Sequence, residues 1–335
     1  MKTAESSANS SPLHRGDDLL SNALRSLHIS GTLLLREVYS SPWAVAIASA
    51  DALMPLLDVK PGTRVVAFHL VEFGHCEVQT ASGANEVLQA GEMVICFGGE
   101  EHRIGQGKPS RVDTVQALLA GGPNLQHPDA TGSPASASLI CGVFLLQHTA
   151  FNPLFAALPA LMRASLSRPG ELNNLSGIAR LMLEEIERGG LGGGYVIERL
   201  LEVLCAQAVR AYLQTAPRHP AGWVRAIQDP VVGRAMAAIH SRPGSDWSVP
   251  RLAREVAMSP SRFAARFTDS LGDSPMAYLA KLRMNVACRL LSTSQTGIDQ
   301  IAADVGYESA AAFNRAFKNH LGLAPGAWRA HAAAT

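Results

Sequence analysis

The sequence predicts an α+β chain in two parts. A β-rich amino-terminal half ends in a helical hairpin. An all-α carboxy-terminal domain carries two helix-turn-helix motifs joined by a linker helix. Three observations predict this division. The last hundred residues or so repeat one helical pattern at an offset of about fifty positions. Residues from about 33 to 148 alternate short Val- and Ile-rich runs with Gly and Pro. Between them lie two stretches of helical apolar spacing, separated by Gly189-Gly190-Leu191-Gly192-Gly193-Gly194.

Taken in order, residues 1–16 are polar and rich in Ser and Ala, and predict a disordered tail. The β-rich domain is expected over 17–214. Val65-Val66-Ala67-Phe68-His69-Leu70-Val71 is one strand; Gly74 ends it, and His75-Cys76-Glu77-Val78-Gln79 follows. Ser82-Gly83 turns the chain into Glu86-Val87-Leu88, and Ala90-Gly91 turns it into Glu92-Met93-Val94-Ile95-Cys96-Phe97. Gly98-Gly99 turns again before His102, and Leu139 to Leu146 form a further strand. Closely spaced strands joined by tight glycine turns predict a small barrel or jelly roll.

Beyond Pro153 and Pro159 the chain is expected to be helical, with a helical pair over 172–213. Its first member carries Leu175, Ile178, Leu181, Met182 and Ile186, and its second Val196, Leu200, Leu204 and Ala208. Such a stripe must be covered, either by the β-domain or by a second subunit. Residues 215–228, with Pro217 and Pro220, read as a linker, and 229–331 as the all-α domain.

In the repeat, Phe263 and Phe267 correspond to Phe313 and Phe317, Gly272 to Gly322, Pro275 to Pro325 and Tyr278 to Trp328. Upstream, Leu252-Ala253 and Val256 correspond to Ile301-Ala302 and Val305, one residue out of step. Each copy reads helix, tight turn, helix. In the first, about 249–272, Ser248 caps one helix and Ser259 the next, with a Pro in each first turn. In the second, about 298–321, Gly306-Tyr307-Glu308 form the turn and Ser309 is the cap. The helix between, from Met276 to Leu291, spans roughly 24 Å. That sets the two second helices about one DNA turn apart, roughly 34 Å.

With Phe263 and Phe267 turned inward, the opposite face shows Ser261, Arg262, Ala264, Ala265 and Arg266. The second copy shows Ala311, Ala312, Asn314, Arg315 and Lys318. Arg pairs with guanine through two bonds and Asn with adenine, so double-stranded DNA is the expected partner. Residues from about 231 to 331 resemble the DNA-binding domain of the AraC/XylS family of transcription regulators. Leu252-Ala253, Met258-Ser259, Phe263, Phe267, Gly272, Ser274-Pro275, Leu282-Arg283, Ala287, Leu290-Leu291, Ile301-Ala302, Val305-Gly306-Tyr307, Phe313, Phe317-Lys318 and Gly322-Leu323-Ala324-Pro325 carry the resemblance. It implies base contacts from Arg262, Asn314 and Arg315. Where the family often has a polar residue this chain has Ala265, which implies fewer bases read or apolar contact with thymine methyls. Arg266, Arg283, Lys318 and the caps Ser259 and Ser309 are then expected on phosphates. The resemblance further implies a homodimeric activator that works with RNA polymerase.

The segments "FHLVEFGHCEV", "LQAGEMVICFGGEEHRI" and "LICGVFLLQH", with the opening "SNALRSLHISGTLLLREVYSSPWAVAI", resemble the cupin-like sensing domain of one AraC subgroup. The resemblance implies a cupin-like β-barrel that responds to a small molecule or another cytoplasmic signal. His69, Glu72 and His102 are candidate pocket residues. His102 falls where a cupin's late metal ligand would be, but the early His-X-His pair is missing: His69 and His75 lie six apart, with Glu77 offset. A metal set needs several ligands at one point. No metal or other cofactor is therefore expected, and a metal-dependent cupin enzyme is disfavoured. The alternatives are a half that only dimerises, or redox sensing through Cys76 and Cys96. Cys76 neighbours His75, which would lower the thiol pKa if charged. Cys96 sits in an apolar run, and Cys141 alternates with Leu139 and Val143 as a core residue does.

Composition bounds the rest. The 335 residues are 47% hydrophobic with a net charge of +1. The charge is uneven: from Gln228 onward twelve Lys/Arg face eight Asp/Glu, a local +4, in the part that holds the repeat. The five cysteines form no CxxC pair, which predicts reduced thiols rather than disulfides. No apolar run reaches the length of a membrane span or a signal peptide, so a cytoplasmic protein with no membrane partner is expected.

Overall fold

Strands buried on both faces and strands that alternate buried with exposed residues build the amino-terminal half. The computed structural model describes residues 19–57, 59, 63–147, 149, 152–166, 175–215 and 222–333; the expected tail over 1–16 lies outside them. Ten strands are described: β1 Ser30–Tyr39, β2 Trp43–Ile47, β3 Thr63–Phe73, β4 His75–Thr80, β5 Asn85–Gln89, β6 Glu92–Cys96, β7 His102–Gln106, β8 Asp113–Thr114, β9 Ala137–Gln147 and β10 Met162–Ser165. They form two five-stranded sheets, ordered β1-β9-β3-β6-β10 and β5-β4-β7-β2-β8. All pairings are antiparallel except β2 with β8.

The sheets face each other across one core. From β3, Val65, Ala67, His69 and Val71 point into it and meet Trp43, Val45, Val78, Leu88 and Ile104. The alternate residues Val66, Phe68 and Leu70 pack outward under helices. Burial on both faces is why this strand reads as an unbroken apolar run. Past Pro159 the expected helix does not form. Met162–Ser165 instead adds an edge strand to β6, with Met162 and Ala164 buried and Arg163 ion-paired to Glu92 at 2.6 Å.

Three helices cover the outer face of the first sheet: α1 Leu19–Leu27, α2 Leu175–Arg188 and α3 Gly193–Thr215. Close approach is possible because β1 carries Gly31, where a Cβ would lie 2.5 Å from that of Leu201. Much of the apolar stripe is thereby covered within the chain, at Leu175, Ala179, Met182, Leu201, Leu204 and Ala208. Leu181, Tyr195, Val196 and Val203 stay exposed.

The carboxy-terminal domain comprises α4 Trp223–Gln228, α5 Pro230–Ser241, α6 Val249–Glu255, α7 Pro260–Leu271, α8 Pro275–Thr293, α9 Ile298–Asp304, α10 Ala310–Leu321 and α11 Pro325–Ala333. The expected linker over 215–228 is corrected at its end. Trp223, Val224 and Ala226 are buried, and the Gly222 N–H donates to the Ser270 carbonyl, so α4 belongs to the helical domain. Residues 216–221 lie outside the described residues. Helix α1 touches β9, α5 and α8, and its buried Ala23 and Leu27 share one apolar cluster with Trp223, Ile239, Phe263 and Tyr278. The two halves are packed through it.

Candidate nucleic-acid interface and a buried histidine pair

The turns of the two helix-turn-helix units make the same backbone bond. In the first, Ala257 turns the chain at φ +54° and the Met258 N–H donates to the Ala253 carbonyl. In the second, Gly306 turns it at φ +80° and the Tyr307 N–H donates to the Ala302 carbonyl. The connection between helices spans 256–259 in one unit and 305–309 in the other. This one-residue difference is the slip seen in the sequence repeat. Ser248 and Ser309 cap their helices, accepting from Arg251 N and Ala312 N. Ser259 holds the cap position before Pro260, but its hydroxyl makes no capping bond, which corrects half of that expectation.

Each second helix is fixed by two phenylalanines with no exposed surface: Phe263 and Phe267 with ring centroids 5.6 Å apart, and Phe313 and Phe317 at 5.5 Å. Tyr278 closes the first set and Trp328 the second. Gly272 and Gly322 end the helices in the left-handed conformation, donating to Thr268 and Lys318 carbonyls. With the inner faces so committed, Ser261, Arg262, Ala265, Ala311, Asn314, Arg315 and Lys318 are exposed. Arg262, Asn314, Arg315 and Lys318 make no side-chain hydrogen bond or ion pair with any described residue.

Two arginines expected on phosphates have internal partners. Arg283 is half-buried in α8; it donates to the Pro243 and Ser245 carbonyls at 2.9 Å each and stacks over Tyr307. It clamps the loop before the first unit against the turn of the second, so its phosphate role is corrected to a structural one. Arg266 donates to Asp229 at 2.8 Å. Burial alone would raise the Asp229 pKa, but the Arg266 bond and the Val231 and Val232 amides outweigh it and lower the pKa. Arg266 thus ties α7 to the cap of α5, and a phosphate would have to compete for it.

In the sheets, His69 from β3 and His102 from β7 meet across the core with Nε2 atoms 2.8 Å apart. The His69 Nδ1 faces Cys141 Sγ at 3.0 Å, the His102 Nδ1 faces the Glu100 carbonyl at 3.2 Å, and Cys96 Sγ lies 3.7 Å from His102 Nε2. Burial lowers both histidine pKa values, with the neighbouring His102 adding to the effect at His69. The convergence of His69, His102 and Cys96 was not legible from spacing, because the partners sit on strands whose register the sequence does not give. Glu72 does not join them. It lies one step out of phase with His69 on β3, faces the helices, and binds Arg36 at 2.7 Å and Ser138 at 2.7 Å.

The expectation that His75 lowers the Cys76 thiol pKa is also corrected, and Cys96, the other thiol of the redox alternative, is no more acidic. Burial pushes both thiols up to about 12. His75 points to the exposed face of β4 and is bonded to Gln106. Among the described residues, two small spaces of about 10 Å³ each lie beside the histidines, one lined by His102 and Cys96 and the other by His69 and Cys141. A cleft of about 380 Å³, lined by Ala50, Asp51, Met54, Thr63, Arg64, Gly98 and Thr149 among others, adjoins one of them through Ala50, Val65 and Gly99.

A cupin family model matches residues 18–214, and a helix-turn-helix domain model matches residues 252–331. The transcriptional regulator AlkR of Acinetobacter baylyi is 27% identical over 317 residues, covering 93% of this chain and 99% of its own length. The RCS-specific transcriptional activator RclR of Escherichia coli is 26% identical over 275 residues, covering 79% and 84%. The crystal structure of the DNA-binding domain of AdpA with a target DNA shares 32% identity over 32% of this chain and 95% of that one, at a TM-score of 0.30. The chain belongs to the AraC-type family of transcriptional regulators with an amino-terminal cupin domain. No described helix is long and apolar enough to cross a membrane.

Proposed function

We propose that this DNA-binding regulator reads double-stranded DNA with the outward faces of α7 and α10, and that its cupin half sets how those helices are presented. One observation carries the reading. Two equivalent helices bury every aromatic on one side and leave Arg262, Asn314, Arg315 and Lys318 exposed and without internal partners on the other. Arg262, Asn314 and Arg315 contact bases, with Ala265 and Ala311 beside thymine methyls. Ser259, Ser261, Ser309 and Lys318 hold phosphates, with Arg266 joining them if it leaves Asp229.

The signal enters the cupin half. The 380 Å³ cleft, with Arg64 and Asp51 on its walls, is of a size to hold a small polar effector. Packing of α1 between the sheets and the helices α5 and α8 supplies a path from that half to the DNA-binding half. An effector shifts the protein only by binding one arrangement better than the other. The exposed Leu181, Tyr195, Val196 and Val203 form the dimer contact. The dimer then activates transcription with RNA polymerase in the cytoplasm, and no reaction is catalysed. Genome-wide mapping of bound DNA in the host tests this reading. Discrete sites beside related operons are expected; diffuse binding would count against it.

A further inference from the structure

We propose that His69, His102 and Cys96 together hold one thiophilic transition-metal ion, of the Zn²⁺ or Cu⁺ class, between the two sheets. The ligand atoms all lie within 4.8 Å of one another, and all three residues are buried. They come from β3, β7 and the end of β6, so the site ties the two sheets together. The set differs from the pattern sought in the sequence. No His-X-His pair takes part, and a thiol stands among imidazoles, which selects soft or borderline cations.

The surroundings fit a metal ligand set at both shells. The His102 Nδ1–H donates to the Glu100 carbonyl, which leaves its Nε2 as a bare lone pair aimed inward. Without an ion, that lone pair requires His69 to donate from Nε2, which leaves the His69 Nδ1 to accept from the Cys141 thiol. A ligating histidine that gives its other N–H to a fixed acceptor is the usual metal-site arrangement. On binding, the His69 proton moves from Nε2 to Nδ1, toward Cys141 Sγ. The Cys96 thiol proton leaves to solvent, and no electron is transferred.

Distances agree. Metal–N bonds of about 2.0–2.1 Å and metal–S bonds of about 2.3 Å in a tetrahedron put N···N at roughly 3.3 Å and N···S at roughly 3.6 Å. The Cys96 to His102 separation is already 3.7 Å, and the Nε2 pair at 2.8 Å must open by about half an ångström. Two small spaces flank the pair, and the one beside His102 and Cys96 shares the lining residues Ala50, Val65 and Gly99 with the open cleft, the side from which an ion would approach. Two imidazoles in this apolar core cost stability compared with aliphatic side chains of similar size. A bound ion supplies a reason for them that packing does not.

The ion is then the signal, or a structural precondition for it; that consequence rests on the sensing reading above, whereas binding is tested without DNA. The full-length protein is stripped with chelator and titrated with Co²⁺ as a spectroscopic probe. One equivalent is expected to give a thiolate-to-cobalt charge-transfer band with tetrahedral visible bands. Displacement by Zn²⁺ or by Cu⁺ identifies the tighter ion. Cys96→Ser should lose the charge-transfer band, His102→Gln should weaken binding roughly tenfold or more, and Cys288→Ser in the helical domain should change neither. Should the core variants fail to fold, Zn²⁺ must still raise the Tm of the wild-type protein. No band from folded wild-type protein, a band that survives Cys96→Ser, or no Zn²⁺-dependent Tm rise would overturn the proposal.

Discussion

Ala257 and Gly306 occupy the same left-handed position in the two turns, at φ +54° and +80°. Glycine takes this conformation freely and alanine does not. At Gly306 a Cβ would also lie 2.5 Å from the Gly244 carbonyl oxygen and 2.5 Å from an Arg283 nitrogen. Gly306→Ala is therefore expected to cost about 1–3 kcal/mol. Ala257→Gly should leave stability within about 1 kcal/mol of wild type or raise it. Urea unfolding followed by tryptophan fluorescence checks both. Equal losses at the two positions would contradict the equivalence of the turns.

The inner and outer faces of α10 should separate cleanly. Phe317→Ala removes a fully buried ring and is expected to cost about 3–5 kcal/mol, taking DNA binding with it. Arg315→Ala, one turn face away and exposed, should change stability by less than about 0.5 kcal/mol while weakening binding. Thermal unfolding and gel shift on the same two preparations read the split.

Stability should fall on acidification through His240. Burial depresses its pKa from 6.5 to about 4, and its Nε2 is hydrogen-bonded to the Tyr278 hydroxyl at 2.7 Å. Between about pH 6.5 and 4 the unfolded chain binds a proton that the folded one refuses, so stability drops as pH falls through this window. The loss is on the order of 3 kcal/mol at most. His240→Gln should flatten the stability profile between pH 6.5 and 4 relative to wild type. An unchanged slope would show that His240 does not titrate this way.

Much of this was legible because the helical domain advertises itself locally. Matched phenylalanines and closing glycines fix both helix-turn-helix units, and their outward residues follow from helical phase. The β-rich half was legible strand by strand at Val65–Val71 and Leu139–Leu146, but not as a pairing. Strand β10 escaped because Met162–Ser165 is too short to show a period and is specified by its partner β6. Arg283 looked like a surface cation, since its acceptors at Pro243 and Ser245 lie about forty positions away. The His69–His102–Cys96 cluster needs the cross-sheet arrangement, which no spacing rule supplies.

Phosphate and base contacts should differ in their salt response. Lys318→Ala is expected to weaken binding to all sequences alike and to reduce the slope of log K against log salt by about one. Arg315→Ala should instead relax preference at one base position, at a cost of about 1–3 kcal/mol. Fluorescence-anisotropy titrations at several salt concentrations, on a specific and a scrambled duplex, distinguish the two.

The central claim is that α7 and α10 read successive stretches of one DNA site. The most direct test is a footprint on the strongest mapped site, comparing wild type with Arg262→Ala and Arg315→Ala. Two protected major-groove segments about one helical turn apart are predicted, roughly 34 Å, with each substitution exposing only its own segment. A single segment, or protection that neither substitution alters, would contradict the account.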